Sequence, residues 1–185
     1  MLIRRERERL INAIIYFAAN TQHCGKIKLI KLLYLLDFEH FRQTGRSVTG
    51  LDYQAWKLGP VPLSLFQEWD SFDADLDAAI EIRPEKVIDY TRETVVPKRA
   101  FDDAHFTKRE LRLMAELAER LRGSYSKPMI DMTHDELGPW HTIWDSGRGI
   151  NGRIPYSLAI PEGSPHREEI LASADEFQSV AAAFG

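Results

Sequence analysis

The densest group of side chains able to do chemistry lies between residues 133 and 145. It contains two histidines and three carboxylates: His134, Asp135, Glu136, His141 and Asp145. Imidazole and carboxylate are common ligands of zinc, but a helical zinc site places its two histidines four residues apart around a glutamate. His134 and His141 are farther apart than that, and Pro139 interrupts the helical register between them. The spacing therefore predicts no metal site.

The only cysteine, Cys24, is the second candidate for covalent chemistry. It lies between His23 and Gly25, and sequence neighbours on a loop rarely form a nucleophile and base pair. The sequence has no nucleophile elbow, no phosphate-binding glycine loop and no dinucleotide-binding fingerprint. A hydrolytic pair of carboxylates has no sequence signature and stays open as an alternative. We predict a protein that is not an enzyme and has no cofactor.

Length and composition predict one globular domain in a reducing compartment. The chain has 185 residues, of which 44% are hydrophobic and 28% charged, with a formal net charge of −4. An acidic total argues against a general nucleic-acid binder, although the first 60 residues carry 10 Lys and Arg against 5 Asp and Glu. The first ten residues are charged where a signal peptide needs an apolar run, and a lone cysteine excludes an internal disulfide. We expect a cytoplasmic protein.

Apolar spacing predicts a mainly helical chain around one central helix. Residues 3–20 and 26–45 repeat apolar side chains at helical spacing, and the second segment, which Gly45 should end, is the more apolar. Further helices are predicted from residue 63, within residues 124–132, and after Ser164, with Pro165 as first helical residue.

Two capping boxes predict two more helix starts. In this motif a Ser or Thr side chain and a Glu or Gln side chain three residues later satisfy each other's backbone N–H groups. Thr107 and Glu110 have this spacing, and so do Thr133 and Glu136. The first pair should begin a helix that continues to Gly123.

The segment LDYQAWKLGPVP, residues 51–62, predicts a strand that ends at a Gly-Pro corner. Tyr53 and Ala55 alternate with Trp56, so the strand should have two unlike faces. Pro62 suits the first turn of a following helix.

Strand-like fragments recur between residues 73 and 103. We therefore predict one small antiparallel sheet, built from residues 47–57 and 78–98 and packed on the helices. The predicted fold class is α+β and mainly α-helical, a compact helical domain with a small antiparallel sheet.

The order of these motifs resembles the Panacea domain, the SocA-like antitoxin family. The matching features are Lys28, Lys31, Leu32–Tyr34, Thr49–Gly50, Tyr53, Ala55, Gly59–Val61 and Thr133–Trp140. The resemblance covers about residues 8–146 of a single domain predicted for residues 1–185, and leaves out residues 147–185, a loop and a C-terminal helix of uncertain role. Six of the matching residues are expected to define the fold: Tyr34, Tyr53, Gly59, Pro60, His134 and Trp140.

The resemblance implies an antitoxin of a type II-like toxin–antitoxin system, phage-associated and bacterial. Such a protein neutralises a cognate protein toxin, usually encoded beside it, by direct contact. Two alternatives remain open: an adaptor that delivers the bound toxin to a protease, and a DNA-binding regulator. No membrane partner is expected, and the acidic charge disfavours nucleic acid.

Exposed aromatic side chains flanked by basic residues are the expected anchors of the toxin interface, because Trp, Tyr and Arg dominate binding energy at protein interfaces. Trp56 is the first candidate, since it lies on the strand face opposite Tyr53. Arg46, Lys57 and Arg148 are the basic candidates. The corner itself, residues 51–62, is expected to define the fold more than to bind.

Overall fold

The computed structural model describes residues 5–135 and 138–184. In these ranges the fold is α+β and mainly helical, which confirms the predicted class, with eight α-helices and two antiparallel hairpins. The helices are α1 Glu6–Asn20, α2 Lys26–Thr44, α3 Leu63–Glu68, α4 Ala74–Ala79, α5 Lys108–Arg120, α6 Ser126–Thr133, α7 Pro139–Trp144 and α8 Arg167–Phe184. The strands are β1 Tyr53–Trp56, β2 Gly59–Pro62, β3 Ile80–Val87 and β4 Tyr90–Pro97.

Helix α2 is the centre of the molecule, as its apolar sequence predicts. Leu29, Leu32 and Leu33 are fully buried on it. A helix buried around its circumference needs partners on every side, and α1, α5, α6, α8 and β2 all contact it. Gly45 ends α2 in the left-handed conformation, with φ of 73°, and a Cβ atom there would lie 2.6 Å from the backbone oxygen of Ile170. Only glycine fits this junction with α8.

The first predicted capping box is confirmed and the second is wrong. The Glu110 carboxylate accepts from the backbone N–H of Thr107 at 2.6 Å, and the Thr107 hydroxyl accepts from the N–H of Glu110 at 3.2 Å. Thr133 instead ends α6, and its hydroxyl donates to a backbone oxygen of that same helix. It is turned back onto α6 and so does not cap the next helix, which begins at Pro139. Glu136 lies outside the described residues.

Residues 51–62 form a complete hairpin rather than a strand and a corner. Ala55 of β1 lies opposite Pro60 of β2. The backbone groups of Ala55 point the other way, to the oxygen of Gly152 and the N–H of Asn151, both at 2.8 Å. Proline is tolerated in β2 because its missing N–H is not needed at this position. Pro62, opposite Tyr53, is accommodated in the same way. It ends β2, whereas the sequence predicted it in the first turn of the next helix.

The prediction of one sheet is wrong, because the two hairpins are separate two-stranded sheets. Residues 151–154 occupy the free edge of β1, where the N–H of Ile154 donates to the oxygen of Tyr53 at 2.8 Å. β4 lies instead beside the loop between α1 and α2, where the N–H of Val95 donates to the oxygen of Cys24 at 2.8 Å. The start of the predicted β region is helical, since α4 precedes β3.

The chain beyond α7 packs back onto α2. A 3₁₀ turn, Tyr156–Ala159, and α8 contact α2, and Phe41, Ile160 and Ala174 form a second small hydrophobic cluster there. α8 begins at Arg167 and not at the predicted Pro165, because a turn closed by the N–H of Arg167 and the oxygen of residue 164 precedes it. Among the described residues, no helix has both the length and the apolar character required to cross a membrane.

Candidate functional site

Helix α2 buries charged side chains as well as apolar ones. Lys28, Lys31 and Asp37 expose no more than 2% of their surface, and we refer to them as the buried polar residues of α2. A charge removed from water needs partners. Lys28 Nζ donates to three backbone oxygens at 2.7–2.9 Å, those of Gln22, Arg122 and Ser124. It thereby joins the loops that follow α1 and α5, while its burial lowers the pKa of Lys28.

Asp37 organises the loop between α2 and β1. One carboxylate oxygen accepts from the N–H groups of Val48 and Thr49, both at 2.8 Å. The other oxygen accepts from the hydroxyls of Thr49 at 2.5 Å and Tyr53 at 2.9 Å. Complete burial raises the pKa of Asp37 to about 6, although these four donors act to lower it. Both oxygens are occupied by donors of the chain itself, so this carboxylate holds the loop.

A second buried centre lies where α2, the first hairpin and the α6–α7 segment meet. Lys31 Nζ donates to the backbone oxygen of Pro60 at 3.2 Å, and burial lowers the pKa of Lys31 to about 7. The ring of His134 stacks on Trp140 with centroids 3.8 Å apart, and burial lowers the pKa of His134. Gly59, with φ of 107°, faces both side chains, and a Cβ there would collide with Lys31 Nζ. Glycine is required at this contact.

The six residues expected to define the fold lie around these two centres. Tyr34 packs edge-on against Tyr53 with ring centroids 5.4 Å apart. Trp140 Nε1 donates to the backbone oxygen of Trp56 at 2.9 Å, which ties α7 to β1. The remaining three residues surround Lys31 as described above. Side chains from distant parts of the sequence thus join α2, the first hairpin and α7.

Trp56 lies on the face of β1 that points away from the core. Tyr53 and Ala55 are buried, with 1% and 0% exposure, as the predicted alternation requires. Trp56 itself is half-buried, because its ring packs 5.0 Å from the ring of Phe66 on α3. It therefore has one covered side and one side open to solvent.

Lys57 and Arg148 lie on segments that adjoin Trp56. Lys57 is exposed at the turn of the hairpin, and Arg148 pairs with Asp145 at 2.6 Å on the loop that leads to the edge of β1. Leu58 and Ile150 add apolar surface, with 57% and 58% exposure. We call this set the hairpin-turn surface: Trp56, Lys57, Leu58, Arg148 and Ile150.

Arg46 lies apart from the hairpin-turn surface, in a groove of about 740 Å³ between α1, the end of α2, the start of α5 and α8. Five arginines line it: Arg5, Arg9, Arg46, Arg109 and Arg153. Three carboxylates line it as well: Glu6, Asp52 and Glu110. We call it the arginine groove. The structure therefore places Trp56 and Lys57 on the first hairpin, Arg148 on the loop that leads to the edge of β1, and Arg46 in the arginine groove.

A family model described as antitoxin SocA-like, Panacea domain, matches residues 29–141, more than half of the chain. The chain belongs to this family. The match confirms the resemblance seen in the sequence and lies within residues 8–146, on which that resemblance rested. No curated protein and no solved structure gives a significant match.

The Panacea region holds most of the buried architecture but only part of the exposed surfaces. It contains two of the buried polar residues of α2, Lys31 and Asp37, together with the whole first hairpin. In the arginine groove, Arg46 and Arg109 belong to the region. The other three arginines come from α1, from the residue just before it and from the chain after α7. Arg148 of the hairpin-turn surface also lies outside it. Both surfaces are thus completed by segments beyond the family match.

Asp37 is the main site residue that the sequence analysis missed. An acid inside the apolar run of residues 32–38 is the available signal, because a buried carboxylate must find donors. Three of its four donors, however, come from a loop with no regular pattern, and the fourth is the hydroxyl of Tyr53 on β1.

The metal and nucleophile hypotheses find no supporting geometry in the part of the chain that the structure describes. Within residues 5–135 and 138–184, no three His, Cys, Asp and Glu side chains are placed to hold a metal ion. Cys24 is buried, and burial raises the pKa of its thiol to about 11. Burial therefore disfavours the reactive thiolate near neutral pH.

Proposed function

We propose that this protein is the antitoxin of a type II-like toxin–antitoxin system and neutralises a cognate protein toxin by direct, non-catalytic contact in the bacterial cytoplasm. Membership in the SocA-like Panacea family supports an antitoxin role in general. The toxin is proposed to be the product of the adjacent reading frame.

The way in which the buried polar residues of α2 are used carries this proposal. Lys28 and Asp37 spend their hydrogen bonds on the chain's own backbone and side chains. Lys31 is buried and donates to the backbone oxygen of Pro60 on β2. These residues build a scaffold and offer no reactive group to a substrate, so a partner must be recognised by the outer surface.

The hairpin-turn surface is the proposed centre of toxin binding. It combines a half-buried aromatic ring at Trp56, exposed apolar side chains and two basic residues, Lys57 and Arg148. Aromatic and arginine anchors beside apolar area are typical of binding hot spots. The strand beneath is fixed on one edge by β2 and on the other by residues 151–154, so the surface is presented on a rigid support.

Co-expression with the adjacent gene tests the proposed function. We expect the adjacent product to arrest growth alone, to be harmless when this chain is present, and to co-purify with it. An adjacent product that is harmless alone, or that stays toxic while both proteins accumulate and remain unbound, would contradict the proposal.

The half-life of the toxin separates simple blocking from delivery to a protease. Blocking leaves the toxin as stable as before or more stable, whereas an adaptor shortens its half-life in cells that carry the protease. A gel shift with the gene's own upstream DNA at physiological salt addresses the regulator alternative, since tight, sequence-dependent binding would support regulation.

A further inference from the structure

The arginine groove is a positively charged site on an acidic protein. Its lining has five arginines against three carboxylates, a formal excess of two positive charges, while the whole chain carries −4. Burial lowers the pKa of His40, which also lines the groove, so this imidazole is neutral at pH 7 and adds no charge. A concave surface with a net charge attracts ligands of the opposite sign.

Three of the groove arginines have no carboxylate partner among the described residues. Arg5 bonds to the His105 ring at 3.0 Å, and Arg109 bonds to the amide oxygen of Gln43 at 3.1 Å. Arg46 meets no acid but lies over the ring of Phe177, 4.5 Å from its centroid. The guanidinium charges of these side chains are therefore available to a ligand.

The other two groove arginines are already paired with carboxylates. Arg153 bonds to Asp52 at 2.6 Å, and Arg9 lies 3.4 Å from Glu110. Arg9 Nε is buried without a hydrogen-bond partner in the described part of the chain. Because this atom is buried, it offers no donor to a ligand, and the two paired arginines add charge to the groove without free donors shown for a ligand.

The groove also has aromatic walls and a size suited to a short chain segment. Phe41, Tyr156 and Phe177 line it, and its volume of about 740 Å³ falls within the usual range for ligand sites, about 300–1,000 Å³. The contact with Phe177 orients the Arg46 guanidinium before any ligand arrives, so less freedom is lost when it binds a carboxylate.

We infer that the arginine groove is a docking site for an acidic segment of the protein toxin, whose carboxylates are bound by Arg46, Arg109 and Arg5. The inference rests on the proposed function for the identity of that partner. Planar guanidinium groups bind carboxylates through two parallel hydrogen bonds, which gives the groove its specificity for acidic side chains.

An acidic protein segment fits the groove better than a nucleic-acid backbone does. Glu6, Asp52 and Glu110 are interspersed with the arginines, and each would repel a continuous run of phosphates. The acidic total charge works against nucleic acid in the same way. A peptide can place its carboxylates at the arginines and neutral residues between them.

Fluorescence anisotropy with a labelled peptide of alternating glutamate and alanine tests the groove without the toxin. We expect saturable binding at low salt that weakens about tenfold or more in the double variant Arg46→Glu, Arg109→Glu, because charge-assisted hydrogen bonds are lost. The milder pair Arg46→Gln, Arg109→Gln should weaken it less. The matched control, Arg99→Glu, reverses an exposed arginine outside the groove and should bind as the wild type does.

Absence of saturable binding, equal loss in Arg99→Glu, or tighter binding of a single-stranded oligonucleotide than of the peptide would overturn the inference. Thermal melts of each variant, expected to match the wild type, exclude unfolding as the cause of any loss.

The adjacent gene product, titrated against the same variants, separates the inference from the proposed function. Weaker binding in the Arg46, Arg109 variants and not in Arg99→Glu supports groove docking. Equal affinity for all variants refutes groove docking and leaves the antitoxin role intact. If the wild-type chain does not bind that product, the proposed function fails, and the peptide experiment still decides the nature of the groove.

Discussion

Positive side chains are buried and hydrogen-bonded at one place in this molecule and exposed at another. The first place is the set of buried polar residues of α2, and the second is the arginine groove. Lys28 is fully buried and gives its donors to three backbone oxygens. Arg46, just past the end of the same helix, is exposed and meets an aromatic ring but no carboxylate among the described residues. A cation in this chain is therefore structural where its donors are used internally and is available for recognition where they are not.

Removal of Asp37 should show the largest structural effect. Asp37→Ala leaves four buried donors on Val48, Thr49 and Tyr53 without their acceptor. We expect a loss on the order of 3–5 kcal/mol in the free energy of unfolding, measured by urea denaturation at pH 7.

Asp52→Ala is the matched control for this change. Asp52 is exposed and pairs with Arg153 on the surface, where an ion pair contributes less than about 1 kcal/mol. Similar losses in the two variants would break the distinction between buried and exposed charges.

A cavity in the apolar part of α2 should cost nearly as much. Leu33 is fully buried, and Leu33→Ala is expected to lower the free energy of unfolding by about 2–5 kcal/mol. Leu58→Ala, at a 57% exposed position, should change it little. We expect Leu33→Ala to reduce toxin neutralisation only in proportion to the folded protein that is lost. Unchanged denaturant stability in Leu33→Ala would show that α2 is not the centre of the core.

Burial of Lys31 should make the free energy of unfolding depend on pH. Burial lowers its pKa from 10.5 to about 7, so between these values the folded state has released a proton that the unfolded state keeps. Stability contributed by this group therefore rises with pH across that window, by at most about 1.4 kcal/mol per pH unit.

Urea denaturation at pH 7, 8 and 9 measures this slope. The rise should be absent from Lys31→Met and present in Lys57→Met, which changes an exposed lysine. Parallel curves for the wild type and Lys31→Met would mean that Lys31 is not titrated in this range.

Local signals in the sequence predicted the helices well and the strand partners poorly. The central helix and its end at Gly45 follow from apolar spacing and one glycine, and the α5 start follows from Thr107 and Glu110. The pairing of β1 could not be predicted in this way. Its second edge is taken by residues 151–154, and that contact depends on how the distant chain returns over α2.

The candidate surfaces show the same limit. Trp56 can be placed on a strand face by alternation alone, but its partial cover by Phe66 is a tertiary contact. Arg46 can be identified as basic, yet the groove around it needs α1, α5 and α8 to converge. The sequence shows the type of each residue but not which residues pack against it in the fold.

Trp56→Ala should lower stability less than Asp37→Ala or Leu33→Ala does, and should weaken binding strongly. The ring already has one side against Phe66, so its removal should cost about 1 kcal/mol or a little more and shift the melting temperature by only a few degrees. If Trp56 is a hot spot of the hairpin-turn surface, the variant should lose toxin neutralisation in a co-expression rescue assay. Lys57→Ala, next to it and exposed, should weaken rescue only slightly, because a solvated lysine gains little from a rim contact.

Lost rescue with a large drop in melting temperature would return Trp56 to the core, and full rescue would remove it from the interface. Lost rescue in Trp56→Ala with a nearly unchanged melting temperature would show that this aromatic side chain, like the exposed arginines, serves binding and not the fold.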